Sequence, residues 1–201
     1  VVSYPLVMVV PANSTLKTFQ DWRTKNPKKN YAFASSGKIS SSHIAGSMVM
    51  INLGKEYIDV PYAGASKIII DLLAGEVDFA MMQASQVIQY ITNGQLIPII
   101  SLTDSRIKEL PNVPTLKEFG IVDIDWSLRM IFLSNATDND DDIKLIQTTM
   151  NKILNDPKLN TPYLENGGQI TMGNKALSSD WLQKEVNRTV TVLKQYKLIK
   201  E

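Results

Sequence analysis

The sequence predicts an α/β fold built on a mostly parallel sheet. Between residues 6 and 102, strand-sized apolar runs alternate with segments whose apolar residues recur at helical spacing, the pattern of βαβ units. Most of these helical segments close on Gly or Asn-Gly, the residues that tolerate the left-handed turn ending a helix. Beyond about residue 134 the alternation gives way to long amphipathic helices, which places a lobe boundary there.

The elements follow in order. Residues 6–10, Leu-Val-Met-Val-Val closed by Pro11, read as a buried strand. Asn13, Ser14 and Thr15 offer a helix cap, Leu16, Phe19 and Trp22 follow at helical spacing, and Pro27 stops the helix. A strand over 31–34 leads into a hydroxyl-rich loop, 35–42, and a helix over 43–53 ended by Gly54. Strands are expected at 57–60, 77–82 and 97–102, and helices at 66–73, ended by Gly75, and 85–92, ended by Asn93-Gly94. Leu110-Pro111-Asn112-Val113-Pro114 breaks the pattern, and a short helix over 115–119 ends at Gly120. A strand over 126–133 precedes helices over 140–154, 157–165 and 180–198, with one small strand over 169–172. Met8, Met48, Met50, Met81, Met82 and Met130 fall in apolar runs, Trp22 and Trp181 on helix faces, and all read as packing.

Bulk properties narrow the function classes. The 201 residues suffice for one large domain or two small lobes. A net charge of +1, with basic residues scattered and no cluster longer than Lys28-Lys29, points away from nucleic acid. The absence of Cys removes disulfides, thiolate metal sites and cysteine nucleophiles. No apolar run reaches membrane-spanning length. No signal peptide opens the chain, and Val1-Val2-Ser3-Tyr4-Pro5 lacks an initiator Met, so the sequence is expected to be a processed or truncated piece of a longer one.

Three constellations could carry chemistry. His43, the single histidine, follows Ser40, Ser41 and Ser42, but adjacent residues do not face each other for proton transfer and no G-x-S-x-G elbow is present. A hydrogen-bonded histidine at a helix start is the better reading, a serine hydrolase the enzyme alternative, and no catalytic residue is assigned. The loop Ser35-Ser36-Gly37-Lys38-Ile39-Ser40-Ser41-Ser42 joins hydroxyls to the free amides of a helix N-terminus. That makes either an anion site or an ordinary serine-capped helix; it is not a P-loop, since no Ser or Thr follows Lys38. Asp138-Asn139-Asp140-Asp141-Asp142 begins like a calcium loop, but Ile143 and Thr149 stand where Gly and Glu are required. An acidic helix start is the reading, and no metal or cofactor is expected.

An ordered set of motifs resembles one family. Val60-Pro61-Tyr62-Ala63-Gly64-Ala65, then Asp71-Leu72-Leu73-Ala74-Gly75-Glu76-Val77-Asp78, resembles the V-P-Y-x-G and D-L-L-x-G-x-V-D of the Bug, or TctC-like, periplasmic receptors. Gly94-Gln95-Leu96, Ser105-Arg106 with Leu110 to Thr115, Glu118 and Gly120, Ser35-Ser36-Gly37 through His43, and Trp126 continue the likeness in order. Ile39 stands where the family usually has Gly, Met82-Gln83 where an acidic-polar pair is common, and Asn135-Ala136-Thr137 where A-P-A-G-T-P is usual.

The resemblance implies a type II periplasmic-binding-protein-like fold with ligand held between two lobes: one complete Rossmann-like lobe over residues 11–125, and, over 1–10 and 126–201, crossover strands and the C-terminal part of an incomplete first lobe. It implies an extracytoplasmic receptor that captures a small carboxylate (a di- or tricarboxylate, an amino acid or an aromatic acid) for the membrane components of a tripartite tricarboxylate transporter, in the periplasm. The runner-up is an orphan receptor for sensing. The expected ligand-binding residues are Ser36, Gly37, Ser40, Ser41, Ser42 and His43 around one carboxylate, with Tyr62, Gly64, Ala65, Met82 and Gln83 shaping the floor; by the sequence reading alone, these segments lie off the carboxyl ends of parallel strands. The stretch missing from lobe one is expected to uncover apolar faces on the helices 140–154 and 180–198, to weaken binding and to favour self-association.

Overall fold

A computed structural model describes residues 2–26, 30–121, 126–132, 134–135, 137–165, 168–170 and 175–199. Its helices are α1 (Phe19–Thr24), α2 (Ser41–Asn52), α3 (Ala65–Ala74), α4 (Ala84–Thr92), α5 (Asp140–Asn155), α6 (Pro157–Glu165) and α7 (Lys175–Gln195), with a 3₁₀ turn at Leu116–Phe119. The strands are β1 (Val2–Pro11), β2 (Asn30–Ser35), β3 (Glu56–Pro61), β4 (Phe79–Gln83), β5 (Leu96–Ser101), β6 (Ser127–Met130) and β7 (Gln169–Ile170). Pro27, Lys28, Lys29, Leu133, Ala136 and residues 171–172 of the expected last strand lie outside the described residues.

The large sheet has the order β3-β2-β4-β1-β5. β2 runs parallel to β3 and β4, whereas β1 is antiparallel to both β4 and β5. The sheet is therefore mixed rather than mostly parallel: two of its four pairings are parallel and two antiparallel, because β1 runs against both of its neighbours. β1 is longer than its apolar run because it serves two sheets. Leu6 to Pro11 pair with β4 and β5, and Val2 to Pro5 continue past the sheet edge to pair with β6 and β7. Its pairing with β5 shifts register between Met8 and Val9, where Pro98 faces it and has no N–H to donate.

The continuous Leu-Val-Met-Val-Val run is explained by burial on both faces. Leu6, Met8 and Val10 face one core with Trp22, Phe33, Met48 and Phe79. Val7 and Val9 face the other, with Ile68, Leu72 and Val87 from α3 and α4. Phe33 stacks flat on Phe79 at 4.8 Å, and Trp22 packs edge-on against Phe79 at 5.3 Å. The end of α7 returns to the first core through Val192 and Leu193, and Asn52 Nδ2 donates to Tyr196 Oη at 2.7 Å.

Local details correct the expected boundaries. The cap of α1 is Thr18, not one of Asn13 to Thr15: Thr18 and Asp21 form a reciprocal capping box, while Ser14 closes a local turn onto Leu16. The helix after the serine loop begins at Ser41 because Ser40 caps it. Asn139 caps α5 by accepting the Asp141 N–H, and Asp140, Asp141 and Asp142 occupy its first turn, where the helix dipole favours them. α5 and α7 leave Leu145 (66%), Ile146, Val186 and Val190 exposed.

The proline-punctuated loop is closed by Arg106, which donates from Nε and Nη2 to Glu118 (2.9 and 2.6 Å) and from Nη1 to the Pro111 carbonyl (2.9 Å). Glu118 also receives the Thr115 N–H at 3.0 Å. Arg106, then the Thr115 amide, holds the Glu118 carboxyl down to about 2, against an ordinary value of 4.5. Because the folded-state value is depressed, the contribution is present above about pH 4.5 and lost as pH falls toward about 2. Acid titration of the denaturation midpoint is expected to fall more steeply through this window for the wild type than for Glu118→Gln.

Candidate functional site

β2, β3, β4 and β5 all end at one edge of the large sheet, the edge at which β1 leaves it for β6 and β7. The loop 35–42, the segment 62–65 and Met82-Gln83 all lie there, as the chain passes from β2, β3 and β4 into α2, α3 and α4.

The serine loop is knitted by its own groups. Ser35 is buried; its Oγ accepts the Gly37 N–H (3.2 Å) and its carbonyl the Tyr62 N–H (2.8 Å). Ser42 Oγ accepts the Ser36 N–H (2.9 Å), donates to Ser36 Oγ (3.3 Å) and lies 3.1 Å from Ser40 Oγ. Ser40 Oγ accepts the His43 N–H at 3.2 Å, capping α2. Two left-handed residues make the turn: Gly37 at φ 105° and Ile39 at φ 64°. For a β-branched residue the second is strained, by about 1–3 kcal/mol. The N–H groups of Ser41 and Ser42 and the Ser41 hydroxyl have no hydrogen bond among the described residues, leaving a cluster of donors at the helix start.

The neighbouring helices add to it. Gly64 begins α3 and Gln83 begins α4, and neither makes a side-chain cap bond. Three helix N-termini thus open on one edge, and their dipoles give partial positive charge without a formal cation. Tyr62 Oη donates to Asp71 Oδ2 at 2.9 Å, with Lys67 Nζ on Asp71 Oδ1 at 2.6 Å. Burial, then the Asp71 contact, pushes the Tyr62 phenol up to about 12, so its proton stays on and committed to α3. Met82 is 2% exposed and packs in the second core with Val7 and Ala84; Gln83, half-buried, carries the edge.

His43 is held between two partners. Its Nδ1 accepts the Ile39 N–H at 3.3 Å, and its Nε2 lies 3.8 Å from Asp59 Oδ2. Both ring nitrogens therefore face groups other than a serine hydroxyl, so His43 forms no nucleophile–base pair with a serine among the described residues. Asp59 and Asp71 were not legible as site residues. They lie on β3 and α3, and sequence spacing carries no sign of either contact.

A cleft of about 380 Å³ opens at the opposite edge, lined by Pro11, 13–16, Trp22, Tyr31, Gly75, Val77 and Asp78. Its charged group is Asp78, whose carboxylate receives the Ala32 N–H at 2.9 Å. A carboxylate there repels anions, so the donor-rich edge and this cleft differ in the ligand charge they favour.

The profile of the tripartite tricarboxylate transporter family receptor, TctC, matches residues 1–198. A protein of Pseudomonas sp. strain P51, encoded between tcbD and tcbE, is 26% identical over 201 residues, covering 96% of this chain and 59% of its own length. A Cupriavidus necator protein encoded in the gbd 5′ region is 31% identical over 121 residues, covering 59% of this chain and 36% of its own length. The chain thus spans about a third to three fifths of these relatives. Among solved structures, the periplasmic binding protein BugD aligns with a TM-score of 0.84 at 22% identity, over 100% of this chain and 68% of its own. An R. palustris protein with adipate aligns at 0.86 and 18% identity, over 98% and 67%. MatC from Rhodopseudomonas palustris, with bound malate, aligns at 0.79 and 16% identity, over 96% and 67%. These likenesses show a periplasmic-binding-protein fold.

Proposed function

Because the chain belongs to the tripartite tricarboxylate transporter receptor family, we propose that it captures a small carboxylate outside the cytoplasm and presents it to the membrane components of such a transporter, without catalysing a reaction on it. The observation that carries this is the meeting of the N-termini of α2, α3 and α4 at one sheet edge, two of them without a side-chain cap. Uncommitted amides and serine hydroxyls suit a carboxylate, which accepts several hydrogen bonds and gains from the helix dipoles. Ser36, Gly37, Ser40, Ser41, Ser42 and His43 form or brace the carboxylate loop, and the backbone at Gly64, Ala65 and Gln83 adds the facing donors. The adipate and malate in two structurally similar proteins support this class of ligand. No helix among the described residues is long and apolar enough to cross a membrane.

Calorimetry tests the assignment. Malate or adipate is expected to bind, the corresponding diamides are expected not to, and the same preparation is expected to hydrolyse no carboxylic ester. Equal binding of diamide and diacid, or ester hydrolysis that disappears in His43→Asn, would overturn it.

A further inference from the structure

We infer that His43 is a positioning residue: its unprotonated Nδ1 holds the Ile39 N–H and keeps the serine loop in its strained form, so protonation of the imidazole releases the loop. The inference rests on the loop 35–42 being the carboxylate site.

Ile39 stands at φ 64°, a conformation that glycine adopts freely and a β-branched residue does not. Something must hold it there. The Ser40 N–H bonds back to the Gly37 carbonyl at 3.2 Å, and the Ile39 N–H is tied to His43 Nδ1 at 3.3 Å. The second bond reaches the strained residue itself. Its acceptor is rigidly mounted, since His43 lies in the first turn of α2 with its own N–H on Ser40 Oγ.

Asp59 supplies the complementary half. One carboxylate oxygen faces His43 Nε2 at 3.8 Å, while the other, Oδ1, is buried without a partner among the described residues. A carboxylate so placed favours the tautomer with its proton on Nε2, which leaves the Nδ1 lone pair for Ile39. The bracket runs from β3 through the imidazole to the loop.

Adding a proton changes only one end. Nδ1–H would face the Ile39 N–H, donor against donor, while Nε2–H keeps Asp59 as its partner. The other groups around the ring are few. β3 also carries Tyr57, two residues before Asp59 and against Phe33, and Glu56, which is exposed. β4 has no titratable residue, the titratable residue of β2 is Tyr31 near its start, and the loop itself carries Lys38. The first turn of α2 has no acidic residue. Loss of the Ile39 tether lets that residue relax, and the amides that follow it into α2 move with it.

Two readouts separate this from the carboxylate assignment. The first needs no ligand: amide resonances of Lys38, Ile39 and Ser40 in the wild-type protein are expected to titrate together with the His43 imidazole. If they stay still while the imidazole titrates, the inference fails whatever the protein binds. If they titrate but neither malate nor adipate binds, the bracket stands and the carboxylate assignment fails. The second is the pH profile of malate affinity. Wild type is expected to lose about tenfold as the imidazole gains its second proton. His43→Asn, whose Oδ1 accepts where Nδ1 does and does not titrate, is expected to lack that loss. His43→Leu is expected to be weak throughout, and adding Ile39→Gly to it is expected to restore affinity, since glycine needs no tether. A wild-type profile as flat as that of His43→Asn, or Ile39→Gly without effect in the His43→Leu background, would overturn the inference.

Discussion

Replacing Ser40 and Ser41 together by Ala is expected to weaken carboxylate binding by about 3–6 kcal/mol, roughly 10²- to 10⁴-fold, at about 1.5–3 kcal/mol for each bond lost to a charged group. The two positions should differ in what else they cost. Ser40 caps α2, so Ser40→Ala also lowers stability by about 1 kcal/mol. The Ser41 side chain has no hydrogen bond among the described residues, so Ser41→Ala should leave the melting temperature in place and reduce affinity alone. Calorimetry and thermal denaturation on the two single variants and the double variant check this. A double variant that melts earlier yet binds malate as tightly as wild type would leave the loop as a helix cap and nothing more.

Gly46→Ala is expected to cost about 3 kcal/mol of stability and roughly 6–12 °C in melting temperature. A Cβ on Gly46 would lie 2.1 Å from Phe33 Cζ, with the two Cε atoms at 2.5 and 2.6 Å. The ring has nowhere to go: it is fully buried and stacked on Phe79 with 10° between the planes. Relief must come from α2 lifting off the sheet, and α2 carries the serine loop at its start, so affinity should fall with stability. Phe33→Leu added to Gly46→Ala is expected to recover part of the loss. A single variant within about 0.5 kcal/mol of wild type by chemical denaturation would show that α2 is not held at that contact.

Much of the fold was legible because its signals are local. The run from Leu6 to Val10 announced a buried strand, which the fold covers on both faces, and Gly54, Gly75 and Gly120 stand at helix ends with φ near 63°, 78° and 79°. Local signals also misled where two competed: Asn13, Ser14 and Thr15 look like a cap, but Thr18 with Asp21 three residues on makes the reciprocal pair. Strand direction was not legible, because the antiparallel placement of β1 amid parallel strands is decided by pairing with residues some 70 to 95 positions away. The same limit applies to the site. The serine loop and the glycine at the start of α3 could be read from residue types, but the Asp59–His43 contact exists only because β3 is laid beside β2, and Tyr62 looked available until the fold placed its hydroxyl against Asp71. Met82 sits in an apolar run buried on both faces of β4, and that burial, rather than its place beside Gln83, decides where its side chain goes.

The most direct measurement for the carboxylate site is a malate titration of isotope-labelled protein followed by amide NMR. Saturable shifts are predicted at Ser41 and Ser42, with Ala65, Ser66 and Ser85 at the starts of α3 and α4 moving at the same half-saturation, while the cleft around Asp78 stays still. Saturable shifts confined to that cleft, or none at the three helix starts at saturating malate, would contradict it.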